Sequence, residues 1–317
     1  MKKDKSYKDS DSWKGFQEYF PERFQIKEGG EPEEEYWNWK DNRVHIDRYL
    51  PKKNEKKIKV ILVHGGGANG RLMFPMGVAL RSSGYECIAA DFPGFGLTVV
   101  NKPNSYYTWI DLVVDLIERE KERDDREIVL CGISLGGMLS YQAACKSKHV
   151  IGIIVTALAD PREKKVQVQL SKNKFMSTFG VKFTEKMGWA FDGVRFPIKD
   201  TTKMWAMANN KEFVDKLLKD KVGSGSKVYL KSLRTLFQAG PALEPEDFKE
   251  IPVLLAQPEK DFIIPLWVSE PFFNRLACPK ELVMLEGAGH IPLEEPGITQ
   301  LEQSARAFIE KLEQELS

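Results

Sequence analysis

The chain has 317 residues, 42% of them hydrophobic and 29% charged. That is an ordinary globular composition with enough length for one large domain, and no apolar run approaches the roughly 20 residues of a spanning helix. Lys+Arg (47) against Asp+Glu (46) leaves a net charge of +1, so no global field favours nucleic acid or an anionic membrane as a partner. The start, MKKDKSYKDSDSWKGF, is basic but lacks the apolar stretch of a secretory signal, and a soluble, cytoplasmic protein is expected. Cys87, Cys131, Cys145 and Cys278 form no C-x-x-C pair, which predicts reduced thiols rather than a disulfide framework or a zinc site.

Residues 1 to about 32 are polar and close with KEGGEPEEE; Trp13, Phe16 and Phe20 are the residues able to order them in part, and no chemistry is legible there. From Tyr36, YWNWKDNRVHIDRYLP alternates around Asp41-Asn42, which predicts an antiparallel hairpin. KVILVHG, from Lys59, suits a strand buried on both faces, and RLMFPMGVALRSSG has helical spacing with Pro75 near its start. Then come YECIAADFPG as a strand, TWIDLVVDLIEREKER as an amphipathic helix, EIVLCG as a strand, GGMLSYQAACKSK as a helix and VIGIIVTALAD as a strand. Such alternation predicts a mostly parallel sheet covered on both faces.

The rhythm stops at Asp160-Pro161. Up to about Lys249 the chain is helical in character, and Phe175, Met176, Phe179, Phe183, Met187, Trp189, Phe191, Phe196, Met204, Trp205 and Met207 stand among many lysines. It resumes with IPVLLAQPEKD as a strand, LWVSEPFFNRLA as a helix, ELVMLEGAGH as a strand and ITQLEQSARAFIEKLEQEL as a closing helix. A sheet interrupted and then completed predicts an insertion.

Gly132-Ile133-Ser134-Leu135-Gly136 stands where a strand gives way to a helix. There a G-x-S-x-G forces the serine into a tight turn with its hydroxyl above the sheet, so Ser134 is the candidate nucleophile; the bland reading is an N-capping serine. A serine hydroxyl needs a base. Of the four histidines, His45 belongs to the hairpin, His149 stands beside Lys146 and Lys148, and His64 on a strand end suits a loop-bracing hydrogen bond. His290, in GAGHIP after the last predicted strand, is at the carboxyl edge where open α/β sheets bind ligands, and is the expected base. Asp261, in QPEKDFIIP, is the favoured acid; Asp160 also ends a strand and competes, and Glu259 is weaker. The order Ser, Asp, His is that of the nucleophile-elbow hydrolases. His64-Gly65-Gly66-Gly67 follows a strand and supplies amides for an oxyanion hole, with the Gly66 and Leu135 N–H groups as the expected donors.

Together HGGG (from His64), DFPGFG (from Asp91), GISLGG (from Gly132), PEKD (to Asp261) and GAGH (to His290) resemble, in order, the motifs of the α/β-hydrolase superfamily. The resemblance runs from about Tyr36 to the end of the chain and implies an α/β-hydrolase fold: a mostly parallel eight-stranded sheet with a helical cap inserted after the sixth strand. The expected division is an extension over 1–35, a core over 36–160 and 250–317, and a cap over 161–249. A serine at the elbow departs from the aspartate of haloalkane dehalogenases and epoxide hydrolases. GISLG and a cap after Asp160 depart from the hormone-sensitive lipase group, so the chain looks more like the monoacylglycerol lipase, lysophospholipase and simple esterase branches.

The Phe, Trp and Met residues of the insertion are expected either to line an apolar pocket or, for most of them singly, to pack the cap's own core. The expected activity is hydrolysis of a small carboxylic ester with a medium apolar acyl or aromatic group, through an acyl-enzyme and with neither metal nor cofactor. Amide or C–C bond hydrolysis, perhydrolysis, and a ligand-binding protein without turnover are the alternatives.

Overall fold

The computed structural model describes residues 4–10, 12–171, 188–200 and 202–316. Strand β1 (Glu33–Trp39) runs into β2 (Asn42–Tyr49), with Glu33 opposite Arg48 and Trp39 opposite Asn42. The two-residue turn between them puts Lys40 at a φ of 48°, the left-handed conformation such a hairpin requires. The predicted hairpin is present, and β1 starts at Glu33, slightly before the expected boundary.

The βα units follow as β3 (Ile58–Val63), α1 (Phe74–Ser82), β4 (Glu86–Ala90), the two-residue β5 (Val99–Val100), α2 (Tyr106–Arg123), β6 (Glu127–Gly132), α3 (Leu135–Ala144) and β7 (Val150–Val155). Helix α2 starts with a capping box: Ser105 Oγ accepts the Thr108 N–H at 3.2 Å, and Thr108 Oγ1 accepts the Ser105 N–H at 3.1 Å. Eight strands lie in the order β1-β2-β4-β3-β6-β7-β10-β11, where β10 is Val253–Pro258 and β11 is Lys280–Leu285. The short β5 joins β2 outside that row. Only the pairings of β2 are antiparallel; every other contact along the row is parallel.

Side-chain alternation divides the core in two. Val60 and Leu62 of β3 and Val129 and Cys131 of β6 join the layer under α1 and the closing helix (Gly297–Glu315). Ile61, Val63, Ile128 and Leu130 face the layer under α2 and α3. A period of two thus buries both faces of each central strand, which is why those strands read as unbroken apolar runs.

Between β7 and β10 lie α4 (Lys164–Leu170), β8 (Arg195–Pro197), α5 (Lys211–Leu217), β9 (Lys227–Tyr229) and α6 (Leu230–Gln238). The block is not purely helical: β8 and β9 pair antiparallel, Arg195 opposite Tyr229 and Pro197 opposite Lys227. Strands of three residues are too short to show alternation in sequence. The ends of the block meet where Arg162 binds Asp160 (Nη2 to Oδ2, 2.7 Å) and Glu244 (Nη1 to Oε1, 2.7 Å). After it come β10, α7 (Leu266–Arg275), β11 and α8 (Gly297–Glu315).

The N-terminal segment is more closely integrated than its polarity suggests. Tyr7, Trp13, Phe16, Phe20 and Phe24 are all buried. Phe16 and Phe20 meet Phe213 of α5 edge-on, with centroids 5.6 and 6.0 Å apart, so the segment lies against core and insertion alike.

Candidate active site

Ser134 occupies the turn between β6 and α3 with φ 56° and ψ −123°, a left-handed backbone that a residue bearing a Cβ adopts only where its surroundings enforce it. Two glycines make the enforcement possible. A Cβ on Gly132 would stand 2.2 Å from the Gly136 carbonyl oxygen, and one on Gly136 would stand 2.0 Å from that of Val63. The turn is also held from β7, because the Ser134 N–H donates to Thr156 Oγ1 at 3.1 Å. Thr156 escaped the sequence reading; its only signal is its place immediately after an apolar strand.

His290 and Asp261 follow β11 and β10 at the same sheet edge. His290 Nδ1–H donates to Asp261 Oδ2 at 2.7 Å, which leaves Nε2 to accept from Ser134 Oγ, also at 2.7 Å. Asp261 is fixed in turn, since its Oδ1 accepts the Ile263 and Ile264 N–H groups, each at 2.8 Å. Burial pushes the Asp261 carboxyl up, but the adjacent His290 charge, its hydrogen bond and the two amides together hold it below the usual value. This arrangement presents a hydroxyl to an imidazole whose tautomer is set by a buried carboxylate.

Asp160, the competing acid, is engaged elsewhere: its carboxylate accepts from the Arg162 side chain and, at 2.9 Å, from the Arg162 N–H. Glu259 accepts the Gly287 N–H at 2.8 Å and braces the loop before His290. His64 is fully buried, donating from Nδ1 to the Gly65 carbonyl at 2.8 Å and accepting the Phe92 N–H at Nε2 at 3.0 Å. Burial lowers its pKa to about 4, so it is a neutral brace at physiological pH. His149 lies partly exposed, 3.4 Å from Glu118.

Gly66 and Leu135 line one cavity of ≈ 110 Å³ with Ser134 and His290. Leu135 is the first residue of α3, so its amide is among those with no acceptor inside the helix. Apart from these groups and from Tyr106 and Thr202 the walls are apolar: Trp109 and Met138 from the core, Leu170, Ile198, Leu233 and Phe237 from the insertion, Ile263 and Ile264 from the loop of Asp261. Of the insertion's Phe, Trp and Met residues, Met204 and Met207 reach the cavity, whereas Trp189, Phe191, Phe196 and Trp205 are exposed. Phe175, Met176, Phe179, Phe183 and Met187 lie outside the described residues. Much of the lining instead comes from Leu233, Leu236 and Phe237, on the apolar face of α6.

A second constellation, away from the cavity, was not foreseen. His45 is fully buried, with Nε2–H donating to Glu34 at 2.9 Å and Nδ1 lying 3.2 Å from Asp91. Burial opposes its charge, but Asp91, Glu34 and Asp47 prevail and raise its pKa to about 10, so it is an imidazolium at neutral pH. Ligand atoms of Glu34, His45 and Asp47 lie within 4.8 Å of one another, as a metal site would need. A cation is already supplied there by Arg71, which binds both oxygens of Asp47 at 2.6 and 2.8 Å and lies 3.3 Å from Glu34. The rings of Tyr7 and Trp13 flank its guanidinium at 4.7 and 4.6 Å. Asp91, from DFPGFG, accepts from Tyr7 Oη and from the Gly70 and Leu97 N–H groups, so its part is to shape the loop.

A mostly parallel sheet with Ser134, Asp261 and His290 after β6, β10 and β11 at one edge is the architecture of one enzyme class. The chain belongs to the alpha/beta hydrolase family, whose model matches residues 60–299. It is 23% identical over 283 residues to "Phospholipase YtpA" of Bacillus subtilis (strain 168), covering 87% of this chain and 99% of that one. Its fold is also that of a soluble variant of monoglyceride lipase from Saccharomyces cerevisiae, with a TM-score of 0.74, 19% identity and coverage of 92% and 98%. The monoacylglycerol lipase of Paleococcus ferrophilus aligns with a TM-score of 0.66, 20% identity and coverage of 86% and 98%. Among the described residues no helix is long and apolar enough to cross a membrane.

Proposed function

We propose that the protein is a serine hydrolase of small carboxylic esters with an apolar acyl or aromatic group, working through an acyl-enzyme. The observation that carries this reading is the 2.7 Å contact from Ser134 Oγ to His290 Nε2, continued at 2.7 Å from Nδ1 to Asp261, at the wall of an apolar cavity. Ser134 Oγ attacks the carbonyl carbon as its proton passes to His290 Nε2, and the imidazolium that forms faces the Asp261 carboxylate. The oxyanion is received by the Gly66 and Leu135 amides. His290 then returns its proton to the alkoxide that leaves, and a water activated by the same nitrogen hydrolyses the acyl-enzyme. Residues 161–249 act as the cap that confines the acyl group. The lipase and phospholipase names of the relatives support an ester rather than an amide.

Fluorophosphonate labelling followed by peptide mapping, with hydrolysis of p-nitrophenyl esters of graded chain length, tests the reading. Labelling is expected at Ser134, and Ser134→Ala should stay folded and lose about 10⁴-fold or more in kcat. Near-wild-type turnover by folded Ser134→Ala would remove this serine from the chemistry.

A further inference from the structure

Ser134 and His290 border two cavities. Beside the larger one, a second of ≈ 40 Å³ reaches the same two side chains, and Met207 is the third residue common to both linings. The rest of the smaller wall is apolar: besides neighbours of the site residues in sequence, it includes Phe20 in the N-terminal segment, Leu72 just before α1, Phe74 at its start, and Phe213 and Leu217 on α5. Phe20 is buried and held edge-on between Phe74 and Phe213, with centroids at 5.0 and 6.0 Å, so it forms a fixed wall.

An ester attacked at its carbonyl carbon carries two flanks, acyl and alkoxy, that diverge from the attacking oxygen once the carbonyl oxygen turns to its donors. The two cavities offer these flanks unequal room. The smaller cavity has ≈ 40 Å³ of free space against ≈ 110 Å³ in the larger, so it takes the shorter flank. We propose that Phe20 is a specificity-determining residue: it closes the smaller cavity and limits one flank of the substrate to a short group, while the other flank extends beneath the insertion. The substrate class is therefore an ester with one short and one long apolar flank. This deepens the hydrolase reading and rests on Ser134 being the nucleophile.

Two series of alkyl fluorophosphonates test it, one lengthened at the P-alkyl group and one at the O-alkyl group, with the rate constant for labelling Ser134 as the readout. In each reaction the Ser134 Oγ–P bond forms as P–F breaks and fluoride leaves, so both flanks stay on phosphorus. For the wild-type protein one series is expected to show a cut-off at short length and to fall about tenfold or more per carbon beyond it, and the other to tolerate lengthening. Phe20→Ala should move the cut-off outward by about two carbons or more, Phe20→Leu less far, and Phe20→Trp inward, all in that series alone. Ratios within a series cancel the folded fraction, and the leucine and tryptophan variants keep a large apolar group if alanine unfolds the segment. A cut-off unmoved by all three substitutions, one moved equally in both series, or no cut-off in the wild-type protein would overturn the role of Phe20. Failure of every reagent to label Ser134 would overturn the hydrolase reading with it.

Discussion

Two carboxylates at strand ends compete for the role of acid, and the partners of each decide between them. Asp261 gives one oxygen to His290 and the other to two amides, whereas Asp160 is taken up by Arg162. Asp261→Asn removes the acceptor that fixes the Nδ1–H tautomer and is expected to lower kcat by about 10⁴-fold. Asp160→Asn should leave kcat on a short activated ester within a few-fold and register in thermal unfolding instead. The reverse ranking in paired kinetics would transfer the acid to Asp160. This geometry was largely legible in sequence, because each group lies within a few residues of a glycine or a strand end that marks its position. Thr156 was not, since a lone threonine after an apolar strand looks the same whether or not its hydroxyl meets an amide from the next strand.

At the scale of elements, the insertion is attached through the link from Asp160 to Arg162 to Glu244, while Met207 adds a bond to the catalytic edge by accepting the Ile291 N–H at 2.8 Å. Arg162 is partly exposed, so its bond to Glu244 contributes little, but Asp160 is buried and would lose its charged partner. Arg162→Ala is therefore expected to cost about 1–3 kcal/mol, seen as a lower Tm, with hydrolysis of a short activated ester nearly unchanged. A Tm equal to that of the parent would show that the link does not hold the joints. The strands on either side of the expected insertion end at Val155 and restart at Val253, and both were legible as apolar runs. Which of the insertion's residues line the cavity was not legible, because abundance of Trp and Met says nothing of direction: Trp205 is 63% exposed, while Leu233 and Leu236 face the cavity from successive turns of one helix.

Over the whole molecule, the buried cluster of His45, Glu34, Asp47, Asp91 and Arg71 makes stability depend on pH in both directions. His45 is raised from 6.5 to about 10, so its contribution is complete below about 6.5 and is lost as pH rises through about 10. Glu34 moves oppositely: burial pushes it up, but hydrogen bonds from His45, the Tyr7 N–H and Ser6, with Arg71 nearby, bring it from 4.5 to about 2. Its contribution is present above about 4.5 and is lost as pH falls towards 2. The fall in Tm between pH 7 and 10 should accordingly be larger for the parent than for His45→Gln; equal slopes would show that this imidazolium does not govern alkaline stability. No local pattern reveals such a cluster, whose members join only when the hairpin, the segment before α1 and the turn after β4 meet. The seating of Phe16 and Phe20 on Phe213 carries a consequence for biosynthesis. A ribosome making about 5–20 residues per second delivers these rings well before the helix that receives them. This segment, made before α5, is thus expected to dock late, remaining open to protease on stalled nascent chains until α5 has left the exit tunnel and becoming resistant thereafter.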